Sequence, residues 1–440
     1  MVGLGRIGLP AAVNFASAGF RVSGFDVDIK KIRQLRKGHC DFHEPRLQTS
    51  LTRLQKAKRL SFSLDLEKSV RESDLATICV PTPISSGRID LTYLLAAIDN
   101  CSKALRRGQL IVVESTVAPG ICRKLVVRIE RTTNLVFGRD FFFAYAPERV
   151  TPGNAIHEMK SMARIVASDD PRSLDFARRI YNRCTASVLA SNFTDAELAK
   201  LAENSFRYVN IAYANELALV CEKVGADVSN VARLANSHPR VRILTAGAGV
   251  GGPCLPKDTQ FLASLLKHPR EHGSILWSAR SVNEYMPQHI IKQAKQALKT
   301  RFKSKSTVTI LGLAYKPNVD DARGSTAVEI ARKLLEAGFA VKYYDPYVKV
   351  KGVGQRHTDI YSACRSADLI VIAVAHDEIV RADLERIGDA AKPGGWLFDI
   401  PRVFNESSAS HAGLQYRTIG ARQVKSESTE INQAPQCLRS

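Results

Sequence analysis

The stretch "GAGVGGPCLPKD" crowds four glycines into six positions and then sets Cys254 between two prolines. Glycine density of this kind lets backbone approach a ligand closely. The prolines stiffen the loop that presents the thiol. Lys257 and Asp258 follow, a cation to favour thiolate and a carboxylate to handle protons. The other eight cysteines are scattered without a C-x-x-C pair and read as small buried hydrophobes, with no metal site. Lys200 and Asn204 lie one helical turn apart on a shared face, suited to holding an alkoxide or a thiohemiacetal oxyanion. Glu148, in "YAPERVTPG", follows a strand and a proline, where an acid faces a cleft.

A second chemical feature opens the chain. Gly3-Leu4-Gly5-Arg6-Ile7-Gly8 is a G-x-G-x-x-G turn, the kind that seats a dinucleotide pyrophosphate on a helix N-terminus. Asp26 ends the next strand, where an acid accepts the ribose hydroxyls and repels a 2′-phosphate, so NAD is favoured over NADP. Only Met1 and Val2 precede the turn, although the first strand of such a fold belongs in mid-sheet. The expectation is a first strand largely missing, from a misplaced or truncated start, with weakened NAD binding.

The elements that must position these groups follow from the pattern. "RVSGFDVD" reads as a short strand and "LATICVPTP" and "LIVVEST" as buried strands, separated by basic helical stretches, an alternation that runs to about residue 185. From Thr194 to Gly225, apolar residues recur at three- and four-residue steps, a long helix with Thr194 as N-cap and Gly225 as stop. Strand–helix alternation resumes at "STVTILGLAYKP" and continues through "AVKYYDP", "ADLIVIAVAHDE" and "GGWLFDI". The fold class is therefore α/β, two Rossmann-like doubly wound domains joined by a central helical region. Domains are expected at 1–188, 189–295 and 296–422, with a polar, disordered tail at 423–440.

At 440 residues, 45% hydrophobic and 24% charged, the chain has the proportions of a soluble multidomain enzyme. It contains no apolar run of 18 residues and no secretory signal pattern, so neither a membrane partner nor export is expected. Unpaired cysteines point to a reduced, cytoplasmic location. The formal charge of +20 suits ligands that carry phosphates. Its basic runs (Lys30 to Lys37, Arg53 to Arg59, Lys292 to Lys305) lack the interleaved aromatics of a single-strand binder, so no nucleic acid is expected.

Taken together the motifs resemble one family, the nucleotide-sugar 6-dehydrogenases that include UDP-glucose and UDP-N-acetylmannosamine dehydrogenases. The likeness runs from Gly3 to about Asn405 through "GLGRIGLP", "FDVD", "GHCDFHEPRL", "VPTP", "ESTVAPG", "APERVTPG", "AELAKLAENSFR", "GVGGPCLPKD", "GLAYKPNVDDARGS" and "YDP". The resemblance implies oxidation of a sugar C6 alcohol to the uronate with NAD, through a thiohemiacetal and a thioester on Cys254, for cell-surface polysaccharide synthesis. It implies an oxyanion site at Lys200 and Asn204, water positioned by Asp258 and Thr116, and Glu148 in thioester hydrolysis. It implies NAD contacts at Gly3, Gly5, Gly8, Asp26, Lys31, Thr82, Thr116 and Arg323. Contacts to the UDP-sugar would come from Glu148, Arg149, Lys200, Asn204, Gly251, Lys257, Lys316 and Arg402, and from Arg240 across a homodimer built on the long helix. Arg6 stands where the family often carries an aromatic, and "DIPRVFN" departs from the usual D-x-R-N around Arg402.

The segment "PERVTPG" resembles the branch acting on UDP-N-acetylhexosamines, and puts Pro152 where the UDP-glucose branch carries a second glutamate. UDP-N-acetylmannosamine is the first expectation and UDP-glucose the alternative. Three other readings stay open: a β-hydroxyacid dehydrogenase, a basic nucleic-acid-binding protein, and a truncated, weakly active family member.

Overall fold

The computed structural model describes residues 1–85, 88–266, 274–299 and 306–421. The stretch 423–440, read as a disordered tail, lies outside them, as does the end of the basic run at Lys305.

In the first half, Leu110–Val113 is buried along its whole length, as a parallel strand covered on both faces must be. It pairs in parallel with Leu75–Ile78 and Phe142–Tyr145. Beyond Phe142–Tyr145 the sheet continues to Ala163–Ala167 and Ser187–Ser191. Strands Val22–Phe25 and Leu60–Ser63 pair with each other. They join the larger sheet through Val2, which bridges Phe25 on one side and Ile78 on the other. Val2 N donates to Thr77 O and Cys79 N to Val2 O, both at 2.8 Å, while Phe25 N donates to Met1 O and Gly3 N to Phe25 O at 2.8 Å. These residues give ladder partners to Phe25 on one side and to Thr77 and Cys79 on the other.

The second half repeats the design. Its sheet runs Gln355–Arg356, Ala340–Tyr344, Thr307–Leu311, Leu369–Ile372, Trp396–Asp399, Gln415–Arg417, parallel throughout. In each half the strand order is that of a doubly wound nucleotide-binding sheet, with the first glycine turn at the switch point.

A single helix, Phe193–Val224, connects the two cores. Its first turn buries Phe193 against Phe143, ring centroids 5.7 Å apart, in the first core. Its last turns bury Ala214, Ala218 and Cys221 in the second. The cap is Asn192, not Thr194: the Asn192 side chain accepts the Asp195 N–H at 2.9 Å, and Thr194 already lies inside the helix. An amide two residues upstream reaches the first free N–H groups better than a hydroxyl within the turn. Gly225 ends the helix in the left-handed region at φ 77°.

Gly3 couples the turn to the sheet. Its φ is +90°, and a Cβ there would lie 2.2 Å from the Cys79 carbonyl oxygen. Gly3→Ala is expected to destabilise the protein by roughly 2–5 kcal/mol, from strain and overpacking together. Urea unfolding checks this. Gly5→Ala, whose Cβ meets no atom within 4 Å, should change stability by only about 0.5 kcal/mol.

Candidate functional site

The glycine turn divides its labour. Gly3 and Gly8 are demanded by close backbone contact, since a Cβ on Gly8 would sit 2.0 Å from Gly3 O. Gly5 faces open space. Helix Gly8–Ser17 begins there with no side chain capping it, which leaves donors and a positive dipole end for a phosphate. Asp26 stands at the end of strand Val22–Phe25 and accepts the Leu4 N–H at 2.9 Å and Lys31 Nζ at 3.1 Å. Its carboxylate keeps lone pairs for a ribose beside the turn. On the far side, the loops after Leu75–Ile78 and Leu110–Val113 lock together: Thr82 Oγ1 donates to Thr116 O at 2.7 Å, and Ser115 Oγ to Val80 O at 2.8 Å. Gly3, Gly5, Gly8, Asp26, Lys31, Thr82 and Thr116 thus lie along the carboxyl edge of one sheet. The open cradle, uncapped helix and acid fit a dinucleotide.

Cys254 sits at the start of helix Leu255–Ala263. Among the described residues it is the only exposed cysteine; five of the others are buried and two are half-buried. One turn along, Asp258 is 1% exposed and holds two partners: Asn204 Nδ2 donates at 2.5 Å, and Lys257 Nζ lies 2.7 Å away. Lys257 also stacks 4.4 Å from the centre of the Phe261 ring. Lys200 projects from the same helix as Asn204, is buried, and has no acidic partner among the described residues. Although the residue is exposed, the Cys254 thiol is crowded by protein, and this desolvation raises its pKa above the ordinary value. Asp258 pushes the same way, while Lys257, Lys200 and Arg323 oppose. The resting side chain is a thiol ringed by three cations.

The glycines before Cys254 dock on the second half. Gly252 N donates to Gly324 O at 3.2 Å, and a Cβ on Gly251 would sit 2.8 Å from that oxygen. Arg323 is thereby brought near the thiol, its guanidinium on Asp321 at 2.6 Å. Lys316 lies in the same segment; burial lowers its pKa, with Glu158 and Glu44 opposing. Arg149 pairs with Glu203 at 2.5 Å, between Lys200 and Asn204 on the long helix. Arg240 is exposed on its loop.

Two of the expected residues hold partners within the protein. Glu148 is buried, salt-bridged to Arg164, and accepts the Arg149 and Val150 N–H groups at 2.6 and 3.0 Å. Burial opposes ionisation, but Arg164 and these donors hold its carboxyl below the usual range. These contacts make the carboxylate an anchor for the 148–150 loop. Arg402 pairs with Asp227 at 2.6 Å and donates to Ile419 O at 2.8 Å. Its guanidinium fastens the second sheet to helix Val228–Ala235.

Glu197 was not anticipated. Fully buried, it accepts Gly120 N at 2.6 Å and Cys122 N at 2.8 Å, so the long helix caps the helix Ile121–Thr133 and fixes the loop bearing Thr116. The signal was an acid on a buried helix face three residues before Lys200. Glu44, within "GHCDFHEPRL", does likewise for the 153–155 turn, accepting Gly153 N and Ala155 N at 2.6 and 2.7 Å.

Comparison with known proteins gives matches along most of the chain. Three models of the UDP-glucose/GDP-mannose dehydrogenase family match: the NAD binding domain at residues 1–185, the central domain at 194–285 and the UDP binding domain at 309–406. The UDP-N-acetyl-D-mannosamine dehydrogenase of Pyrococcus horikoshii is 37% identical over 89% of this chain and 92% of that one. A solved structure of UDP-D-ManNAc dehydrogenase from that organism superposes with a TM-score of 0.87 at 36% identity, covering 95% of this chain and 98% of the other. A UDP-glucose dehydrogenase structure from Pyrobaculum islandicum gives 0.84 at 30% identity, covering 96% and 97%.

The raised thiol pKa has a direct readout. Alkylation of Cys254 by iodoacetamide should accelerate from pH 7 upward without levelling off below pH 9.0, the ordinary thiol value. Mass spectrometry of the modified peptide against pH measures this; a plateau near neutrality would contradict it.

Proposed function

The chain belongs to the UDP-glucose/GDP-mannose dehydrogenase family and is an NAD-dependent nucleotide-sugar dehydrogenase, and from that premise we propose that it oxidises a UDP-N-acetylhexosamine, UDP-N-acetylmannosamine first, at C6 to the uronate. The observation that carries the chemistry is Cys254, an exposed residue on a glycine loop whose thiol lies beside Lys200 and the Asn204–Asp258 pair. The choice of sugar is supported by the relative in Pyrococcus and by "PERVTPG". A cytoplasmic location fits the unpaired cysteines. Among the described residues no helix is long and apolar enough to cross a membrane.

Each dinucleotide, when bound, would supply the acceptor for one hydride, so the two oxidations consume two in turn. Lys200 and the free N–H of Asn204 hold the C6 oxygen as the alcohol becomes the aldehyde, with loss of a hydride and a proton. The Cys254 S–H then adds across the carbonyl, sulfur to carbon and proton to oxygen, giving a thiohemiacetal. Loss of the second hydride and the hydroxyl proton leaves a thioester. Water placed by Asp258 and Thr116 adds to that carbonyl, and cleavage of the C–S bond restores the thiol and frees the carboxylate. Lys200 stabilises the oxyanion formed at each addition. Lys316, Lys257, Arg149 and Gly251 would line the substrate side, and Arg323, near the thiol, would face the cofactor.

We also read the chain as a homodimer. Phe206, Tyr213 and Val220, spaced seven apart on the long helix, are 69%, 55% and 50% exposed, an apolar stripe of the kind that pairs with its own copy. Arg240, exposed on its loop, would reach the neighbouring site from there.

NADH production across UDP-N-acetylmannosamine, UDP-N-acetylglucosamine, UDP-N-acetylgalactosamine and UDP-glucose tests the reading. Two NADH per sugar are expected, with the best kcat/KM on an N-acetylhexosamine. Cys254→Ala should lower kcat by about a thousandfold or more. A single NADH per sugar with no loss in that variant would favour the β-hydroxyacid reading; a preference for UDP-glucose would restore that alternative. Phe206→Glu combined with Val220→Glu should give a monomer by light scattering, and an unchanged mass removes the stripe from the interface.

A further inference from the structure

Within the turn 3–8, Arg6 sends its side chain out of its own sheet domain. One guanidinium nitrogen pairs with the Asp320 carboxylate, a second donates to Asp320 O at 2.8 Å, and Nε lies 3.7 Å from Asp321. The guanidinium sits 5.3 Å from the centre of the Phe42 ring. The Asp320 carboxylate also accepts the His43 N–H at 3.0 Å. This junction is only 23% exposed at Arg6 and 18% at Asp320, so solvent screens it less than a surface pair.

The contact continues toward the thiol. Asp321 holds Arg323 through Nε at 3.0 Å and Nη2 at 2.6 Å, and its carbonyl accepts Tyr315 N–H at 2.9 Å. Gly324, next in the chain, receives the Gly252 N–H from the loop that presents Cys254. An unbroken series of polar contacts and short chain links therefore joins the glycine turn to the cysteine loop. A cation at the start of helix Gly8–Ser17 opposes the helix dipole, and the aspartates offset that cost. Arginine suits the place because its fork meets a carboxylate and a carbonyl together, which an ammonium does less well.

We propose that Arg6 is a positioning residue that clasps the segment 315–324 of the second half onto the dinucleotide turn, holding Arg323 beside Cys254 while the cofactor is seated. The proposal rests on the NAD-dependent reading above. Closure of one domain on another commonly completes a catalytic constellation in this way. Arg6 acts on the chemistry through Asp320 and its segment, not on the reacting atoms.

A double-substitution cycle tests it. NAD affinity by calorimetry and kcat on the best UDP-sugar are measured for the native chain, Arg6→Ala, Arg6→Lys, Asp320→Asn and Arg6→Ala with Asp320→Asn. Each single loss of the pair should lower kcat about tenfold, the double substitution no further, and Arg6→Lys should recover only part. NAD affinity should change less than about threefold throughout, because the backbone of the turn is untouched. Losses that multiply in the double variant, an unchanged kcat, or an NAD affinity lost with Arg6→Ala but kept with Asp320→Asn overturn the proposal. The last result would put Arg6 on the pyrophosphate itself. If the native chain turns over none of the sugars, the substrate reading fails and the clasp is judged by scattering. With saturating NAD, the radius of gyration should then be larger in Arg6→Ala and Asp320→Asn than in the native chain; equal radii sink it.

Discussion

A carboxylate buried to 1% exposure must keep its partners, and at Asp258 those partners are Asn204 on the long helix and Lys257 beside it. That requirement ties the helix carrying Cys254 to the helix carrying Lys200. The long helix is itself fixed at both ends, by Phe193 in one core and by Ala218 in the other. The cysteine loop cannot drift from this frame, because Gly251 lies against Gly324 and Gly252 against the Tyr315 ring, with no room for a side chain at either. Removing one partner of Asp258 would leave an unmet charge at the meeting point of three elements, and the site would lose its geometry before it lost its residues.

The two doubly wound halves show how one topology serves different ends. Asp26 and Asp345 occupy matching places, each ending the strand after a glycine turn and each accepting N–H groups from that turn. Asp26 stays partly open. Asp345 is wholly buried: it takes the N–H groups of Leu313, Ala314, Tyr347 and Val348, and His376 Nε2 lies 3.0 Å away. Since His376 Nδ1 accepts the Asn318 N–H, its Nε2 is the donor toward Asp345. These contacts hold the Asp345 carboxyl below its usual range despite burial, His376 contributing most. The acid that can meet a ribose in the first half is filled from within in the second, so the halves cannot bind a dinucleotide alike.

Acids inside a basic chain organise the rest. Glu197, Glu44 and Glu148 each gather backbone N–H groups of loops around the cleft. With these carboxylates turned inward, the cations Lys200, Lys257, Lys316 and Arg323 remain along the cleft as a favourable field for a phosphorylated ligand.

Features encoded by local pattern could be read from the chain alone. The glycine turn, the cysteine between prolines, the buried strands and the long helix were all legible, because glycine spacing and apolar periodicity act within a few residues. The helix start was misplaced by two residues, since Asn192 and Thr194 are both good caps and only backbone geometry separates them. The destinations of the long charged side chains emerged only with the packed fold. Glu148 and Arg402 have the right types for a ligand, yet Arg164 and Asp227 claim them from 16 and 175 residues away. Arg6 finds Asp320 across 314 residues. Such side chains carry no periodic signal, and each pairs with whichever opposite charge the packed elements bring within reach while water is excluded.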